Sequence, residues 1–200
     1  APLITAIGVS FLLQTLAMII WGRNYHSFPQ LVSTEPLEPI AGLFITPVQI
    51  TILAVSATLM VALVLLVNKT RLGRAMRATA ENHKVASLMG VDTNKIIAAT
   101  FVIGSALAAV AGVLVTVYYG VVDFYIGFVA GIKAFTAAVL GGVGSLPGAM
   151  LGGLIIGLIE AFWSTYLAAE YKDVATFSIL ILVLMFRPSG LLGRPEVEKV

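Results

Sequence analysis

The sequence predicts an all-α integral membrane protein, a polytopic bundle of about five membrane-spanning helices or more. Of its 200 residues, 59% are hydrophobic and 11% are charged, whereas about 25% of the residues of a soluble domain are charged. A soluble fold of this length cannot bury so much apolar surface. The charges also fall in patches between long uncharged runs. Helices are the only open-chain structures that satisfy their backbone in lipid, so each long run predicts a helix.

The uncharged runs give the predicted spans in chain order. Four runs exceed the roughly 20 residues that a helix needs to cross the hydrocarbon core; they are 1–22, 39–68, 96–122 and 134–159. A fifth run, 174–186, becomes long enough when it is extended back to about Leu167. The first residues start inside an apolar run without an initiator Met or a charged segment. We therefore expect an N-terminal part of the protein to be missing, and we treat 1–200 as a single transmembrane domain.

The charge distribution predicts which patches face the cytoplasm. Residues 68–95 carry six basic and two acidic side chains, so this loop is expected inside. Residues 160–173 carry three acidic side chains and one basic one, which fits the outside, and the tail 188–200 fits the cytoplasm. Residues 123–133 also fit an external loop. A single crossing by 134–159 conflicts with that arrangement, because the patches on either side of it would then face opposite sides.

A glycine-rich stretch inside 134–159 suggests how this conflict is resolved. Residues 141–153 contain six Gly and one Pro, a composition that makes a poor continuous helix. We interpret 134–159 as a broken or re-entrant segment, which is tolerated at membrane depth where it is buried in protein or lines a cavity. The residues expected to shape its backbone are Gly141, Gly142, Gly144, Pro147 and Gly148. The alternative is two closely packed helices joined by a tight turn. In that case the residues that let the neighbours approach closely are Gly141, Gly148, Gly152, Gly153 and Gly157.

Two charged residues are candidates for a polar pathway. Glu160 and Lys133 adjoin apolar runs, and ionisable groups at membrane depth are often functional. Glu160 has the alternative interpretation of an interfacial carboxylate, and Lys133 that of a side chain whose ammonium reaches the interface. An intramembrane enzyme using Glu160 or Asp123 is a further alternative, but the sequence indicates no catalytic partner for either.

Several classes of site are not expected. The sequence has no phosphate-binding loop of the GxxxxGK[ST] kind, no Cys, and two His that lie 57 residues apart. We therefore predict no cofactor, no metal and no ATPase site of its own. The net charge of +2 also argues against nucleic acid as a partner.

The cytoplasmic patch predicts a short amphipathic helix. Arg71, Arg74 and Arg77 are spaced three apart, an arrangement that favours attraction to anionic lipid. Small and apolar residues follow as far as Met89, and Gly90 is well placed to end the helix. Such a helix has nothing of its own to bury against. It is expected to lie on the membrane surface or in a groove of another protein.

The stretch ATAENHKVASLMGV, residues 78–91, resembles the coupling-helix motif of ABC importer permeases. The similarity continues on both sides, through GGVGSLPGAMLGG and as far as GRPEVEKV at the end of the chain. Over essentially all of 1–200 the sequence resembles the branched-chain amino acid ABC transporter permeases of the LivH type. Members of this family are about half as long again, with additional N-terminal spans.

The resemblance implies a multi-pass permease subunit in the bacterial inner membrane that forms the path for leucine, isoleucine and valine. It implies four kinds of partner: a second homologous permease, two cytoplasmic ATP-binding subunits, a periplasmic substrate-binding protein and membrane lipid. It also implies that ATP is hydrolysed on the partner subunits. The residues that it implies for coupling to the ATPase are Ala80, Glu81, Ala86, Ser87, Leu88 and Gly90.

Three other functions stay open. Related permeases that carry urea, short amides or sugars share such a coupling helix. A stand-alone secondary transporter or channel has no use for one. An intramembrane enzyme would need paired catalytic groups.

Overall fold

The structure is a computed structural model, and it describes residues 2–29, 37–40, 43–167 and 169–193. The chain divides into two compact units, a first unit Ala1–Phe124 and a second unit Tyr125–Val200. Helices dominate both units, which confirms the predicted helical membrane fold. Three helices of the described ranges are long and apolar enough to cross a membrane, namely Pro47–Lys69, Thr93–Tyr119 and Leu146–Tyr166.

The first unit consists of helices and two short antiparallel strand pairs. Its elements in chain order are α1 Pro2–Trp21, β1 His26–Ser27, β2 Leu37–Ile40, β3 Leu43–Ile45, α2 Pro47–Lys69, α3 Arg71–Glu81, α4 His83–Leu88, α5 Thr93–Tyr119 and β4 Val121–Val122. β1 pairs with β4, and β2 pairs with β3. The first pairing holds the chain after α1 against the chain after α5.

Capping residues explain why the basic patch 68–95 forms two short helices, α3 and α4, where the sequence predicted one. The Thr70 side chain accepts a hydrogen bond from the Gly73 amide at 3.0 Å and donates one to the Leu66 carbonyl at 2.6 Å, so it joins α2 to α3. The Asn82 side chain accepts from the Lys84 amide at 3.0 Å and starts α4. Each sharp change of direction in this patch thus has a side chain that satisfies the free amides.

The described residues of the second unit form three α-helices. They are α6 Ile126–Gly141, α7 Leu146–Tyr166 and α8 Lys172–Phe186, and a single 3₁₀ turn, Ala169–Tyr171, precedes α8. The core lies where these helices meet, around Ala137, Leu140 and Ile156. The tail folds back on α6, because the Leu191 and Leu192 amides donate to the Leu140 and Gly141 carbonyls at 3.0 and 2.9 Å. Residues 194–200 of the predicted tail lie outside the described residues.

Two predicted boundaries in this unit are wrong. We predicted an external loop over 123–133, but α6 begins at Ile126 and includes Lys133. A lysine does not interrupt this helix, because its ammonium is paired with carboxylates within the unit. We also extended the last span back to Leu167, but α8 begins at Lys172. Leu167 instead follows the end of α7, and Ala169–Tyr171 form the 3₁₀ turn.

The glycine-rich stretch interrupts the helices only at residues 142–145. Gly142 and Gly144 have φ of 108° and 87°, values that L side chains rarely adopt. The Ser145 side chain then accepts a hydrogen bond from the Gly148 amide at 3.1 Å, and Pro147 stands in the first turn of α7. This geometry is that of the alternative, two helices joined by a tight turn. That the stretch is re-entrant in a membrane stays a prediction.

Glycines bring the α6 and α7 backbones together next to this turn. A Cβ atom built on Gly141 would lie 2.6 Å from the Ala149 nitrogen, and one on Gly152 would lie 3.0 Å from the Gly141 nitrogen. A Cβ on Gly148 would lie closest to the Gly141 carbonyl oxygen. Gly157, which we also expected to allow close approach, has open space around it. The contact between the helices therefore depends on Gly141, Gly148 and Gly152, because there is no space for a side chain at these positions.

Candidate functional site

The structure contains two candidate sites, one in each unit. The first is the coupling segment, defined as residues 71–90 and formed by α3 and α4. The second is the charged cluster, defined as Lys133, Glu160 and Asp173. Within the described ranges, no group of three or more His, Asp and Glu side chains is placed to hold a metal ion.

The coupling segment is anchored to the end of α2. Gly73 is buried, and a Cβ there would collide with the carbonyl groups of Leu66 and Val67. The Arg77 guanidinium donates to the Val67 carbonyl oxygen and, at 3.2 Å, to the Asn68 side-chain oxygen. Arg77 thus satisfies the end of α2, where a cation is also favoured by the helix dipole. Arg71, Arg74 and Arg77 are all exposed, and their attraction to anionic lipid stays a prediction.

The predicted coupling residues, which α3, α4 and the turn after α4 contribute, differ in burial. Ala86 is 3% exposed and is therefore buried within the unit. Leu88 is 86% exposed, and Ala80, Glu81, Ser87 and Gly90 are exposed as well. Gly90 has a φ of 83°, and the Val91 amide donates to the Ala86 carbonyl at 3.1 Å, so the chain turns away directly after α4.

An exposed apolar tip completes the coupling segment. Val85 and Met89 are 54% and 80% exposed, and together with Leu88 they form three apolar side chains at one end of α4. Their positions i, i+3 and i+4 place them on one face of the helix. The sequence shows this spacing, but it does not show that Ala86 faces inward and the tip outward. Large apolar side chains of this exposure are typical of a surface that contacts lipid or another protein.

The charged cluster joins all three helices of the second unit. The Lys133 ammonium on α6 lies 2.7 Å from Glu160 Oε1 on α7 and 3.1 Å from Asp173 Oδ1 on α8. The Thr176 hydroxyl donates to Glu160 Oε1 at 3.4 Å. The sequence pointed to Lys133 and Glu160 separately but gave neither a partner, and it did not single out Asp173. The signal that was available is that Lys133 and Glu160 are the only charged residues of α6 and α7.

The fold and these sites define a helical membrane protein with an anchored, exposed coupling segment. A family model described as "Branched-chain amino acid transport system / permease component" matches residues 1–186. The chain therefore belongs to this family, and the resemblance seen in the sequence is confirmed. No solved structure gives a significant match.

Curated relatives agree with the family assignment. The chain is 53% identical over 99% of its length to the high-affinity branched-chain amino acid transport system permease protein LivH of Salmonella typhimurium. It is 52% identical over its full length to the corresponding protein BraD of Pseudomonas aeruginosa. A more distant relative, at 32% identity over 64% of the chain, is the autoinducer 2 import system permease protein LsrC of Yersinia enterocolitica. The chain spans 65% of the length of LivH and 66% of that of BraD.

Proposed function

We propose that this protein is a permease subunit of a bacterial ABC importer and carries branched-chain amino acids across the inner membrane. The observation that carries the proposal is the 53% identity, over 99% of the chain, to the branched-chain amino acid transport permease LivH of Salmonella typhimurium. The distant LsrC relative covers less of the chain at lower identity, so an autoinducer is the weaker substrate candidate. Leucine, isoleucine and valine are the proposed substrates.

The energy for transport is proposed to come from partner subunits. The chain itself does not hydrolyse ATP, and two cytoplasmic ATP-binding subunits contact the coupling segment. A second homologous permease completes the path, and a periplasmic protein delivers the substrate. The coupling segment supports this proposal because its base is fixed to α2 by Gly73 and Arg77, whereas its apolar tip is exposed. A rigid base and an exposed tip suit a segment that transmits motion from a docked partner.

The proposed topology has residues 68–95 in the cytoplasm and 160–173 outside. Within the second unit, the turn 142–145 and the tail 187–193 lie at one end, because residues 191 and 192 hydrogen-bond to the end of α6. The charged cluster lies towards the other end. If α6 and α7 both cross, the tail and the turn are cytoplasmic and the cluster is on the outer side. That arrangement removes the conflict between the patches flanking 134–159, and it supports the charge-based orientation.

Uptake by the reconstituted importer tests the proposed function. The full complex with both permeases, the ATPase subunits and the binding protein is placed in liposomes containing ATP. Labelled leucine, isoleucine and valine should accumulate, and accumulation should cease without ATP. Transport of urea, an amide, a sugar or autoinducer 2 in place of these amino acids would contradict the substrate proposal. Uptake without the ATPase subunits would contradict the ABC mechanism.

Docking of the coupling segment is tested by one substitution and a matched control. Leu88→Glu places a charge on the exposed tip, and Leu192→Glu makes the same change at an exposed leucine of the other unit. We expect Leu88→Glu to reduce retention of the ATPase subunits by about tenfold, because interface residues at a buried centre contribute more than about 1 kcal/mol. Equal retention by both variants would mean that the segment only lies on the membrane surface.

The turn at Gly90, where the chain leaves α4, is tested separately. Gly90→Ile keeps the tip intact but introduces a β-branched residue at a φ of 83°. We expect normal insertion, lost uptake, and an ATPase activity that loaded binding protein no longer stimulates. Wild-type uptake by this variant would contradict the proposed role of the α4 exit in coupling.

A further inference from the structure

The basic residues of the patch 68–95 are concentrated at one end of it. Residues 68–77 contain four basic residues and no acidic one, whereas residues 78–92 contain two acidic residues and one basic residue. At 1.5 Å per residue, Glu81 at the end of α3 lies about 15 Å from Arg71 along the helix axis. That separation exceeds the Debye length of about 8 Å at physiological ionic strength. An anion that is attracted to the start of α3 is therefore screened from the far end of this helix.

Three of these basic side chains are available to an anion. Lys69, Arg71 and Arg74, which we call the basic edge, are exposed, and the ion pairs of the described residues include none of them. Arg71 and Arg74 are three residues apart and share one face of α3. Arg77 differs from them, because its guanidinium donates to the Val67 carbonyl oxygen. The basic edge thus presents three cations without a carboxylate partner beside the end of α2.

The position of the basic edge favours lipid as the source of the anion. α2 is long and apolar enough to cross a membrane, and Lys69 is both its last residue and its first charged one. A basic side chain at such a membrane boundary strengthens attraction to an anionic lipid surface about fivefold. The guanidinium fork also matches the geometry of a phosphate. An acidic partner protein offers the same charge, but nothing confines a protein to the level where α2 ends.

A direct connection joins the basic edge to the apolar tip. Gly73 is buried against the carbonyl groups of Leu66 and Val67, so the backbone of α3 lies against the end of α2. Asn82 caps α4 directly after α3, and Ala86 is buried within the unit. A headgroup that fixes the start of α3 therefore also fixes the position of the tip.

We infer that the basic edge binds the phosphate of anionic lipid headgroups, and that this lipid regulates the importer by holding the coupling segment where its tip engages the ATPase subunits. The inference rests on the proposed function, since the tip has to engage an ATPase. The ligand is a lipid and not free phosphate, because only a lipid is held at the level of the end of α2. The tip itself stays available to the partner, since the surplus of positive charge lies at the other end of α3.

Lipid retention by the full importer tests the binding. The complex is purified from micelles that contain equal amounts of phosphatidylglycerol and phosphatidylcholine, and the retained lipid is quantified by mass spectrometry. Arg74→Gln removes one charge of the basic edge. Lys95→Gln is the matched control, because it removes one charge from the same patch at a lysine that Asp92 already pairs at 3.0 Å. We expect Arg74→Gln to lower the preference for phosphatidylglycerol about fivefold, and Lys95→Gln and Arg74→Lys to keep it.

Two results of this experiment would overturn the inference. The first is the same lipid preference in Arg74→Gln and Lys95→Gln. The second is a loss of the ATPase subunits from Arg74→Gln with lipid retention unchanged, because an acidic partner protein would then occupy the basic edge.

ATP hydrolysis in vesicles tests the regulation. The importer is reconstituted in phosphatidylcholine with an increasing fraction of phosphatidylglycerol, and stimulation by loaded binding protein is measured. We expect stimulation to rise with the phosphatidylglycerol fraction in the parent and in Lys95→Gln, and the double variant Arg71→Gln and Arg74→Gln to lose most of that rise. Stimulation that does not depend on phosphatidylglycerol would overturn the inference, as would its restoration by inorganic phosphate in phosphatidylcholine alone. A complex that shows the lipid dependence but takes up no branched-chain amino acid would contradict the proposed substrate and leave the inference standing.

Discussion

The glycine contact between α6 and α7 makes a prediction that two alanine substitutions can test. Gly152 faces α6, where a Cβ atom would collide with the Ala137 carbonyl oxygen and lie 3.0 Å from the Gly141 nitrogen. At Gly157, on the same helix, a Cβ atom would have no neighbour within 4 Å. Gly152→Ala and Gly157→Ala thus add the same methyl group to one helix, against α6 in the first case and into open space in the second.

The difference in stability between the two variants follows from this geometry. Alanine favours a helix over glycine by about 1 kcal/mol, and this gain is common to both variants. Overpacking a close contact costs about 1–3 kcal/mol. The atoms that the added methyl group of Gly152→Ala would meet belong to backbone, which cannot rotate aside, so we expect the upper part of that range. Gly152→Ala should be about 2–3 kcal/mol less stable than Gly157→Ala, a melting-temperature difference of roughly 5–10 °C for a chain of this length.

Thermal unfolding in detergent measures this difference. Both variants are heated at one scan rate in one detergent, and unfolding is followed by the fluorescence of the two tryptophans. The parent protein should melt between the two variants or close to Gly157→Ala. Indistinguishable melting temperatures for the two variants would refute the reasoning, because they would show that α6 and α7 do not meet at Gly152.

Three further predictions concern other parts of the chain. Gly144→Val should lower the free energy of unfolding by about 1–3 kcal/mol through backbone strain alone, since the φ of Gly144 is 87° and the space around this residue is open. In the same melting assay, Gly144→Asn should be less destabilising than Gly144→Val, because Asn tolerates a positive φ better than Val does. In intact cells, Lys84→Cys should be protected from an impermeant thiol reagent and Glu170→Cys labelled, and the reverse pattern would overturn the topology. The hydrogen bond from the Lys95 side chain lowers the pKa of Asp92, so the cap of α5 holds above the usual Asp range and is lost as the pH falls through that lowered pKa. The protection of the amides 93–96, measured relative to their intrinsic exchange rates, should therefore fall in acid, but not in Asp92→Asn.

Local signals predicted where the helical patch within residues 68–95 ends, but not the break at Asn82 that divides it into α3 and α4. Gly90 was expected to end a short helix, and it does so with a left-handed backbone. The uncharged runs 39–68 and 96–122 marked α2 and α5, because chain length and hydropathy suffice to indicate a spanning helix. Such features depend on residues that are close together along the chain, so they can be predicted from the sequence alone.

Features that depend on tertiary packing were not predictable in the same way. Lys133 indicated a loop because a lone lysine is unfavourable in an apolar helix, and only its pairing with Glu160 and Asp173 reverses that expectation. The glycines were expected to allow close packing, but the sequence did not distinguish Gly152, which touches α6, from Gly157, which does not. That difference depends on the crossing point of two helices, which glycine spacing alone does not determine.

The return of the tail to α6 has a consequence for the order of biosynthesis. The carbonyl groups of Leu140 and Gly141 receive their hydrogen bonds from residues 191 and 192, which are made about fifty residues later. At about 5–20 residues per second, Leu140 and Gly141 are synthesised several seconds before those amides exist. These two backbone acceptors therefore stay open until residues 191 and 192 have been made. A chain that stops at Phe186 keeps the whole family-matched range and never reaches that closing step.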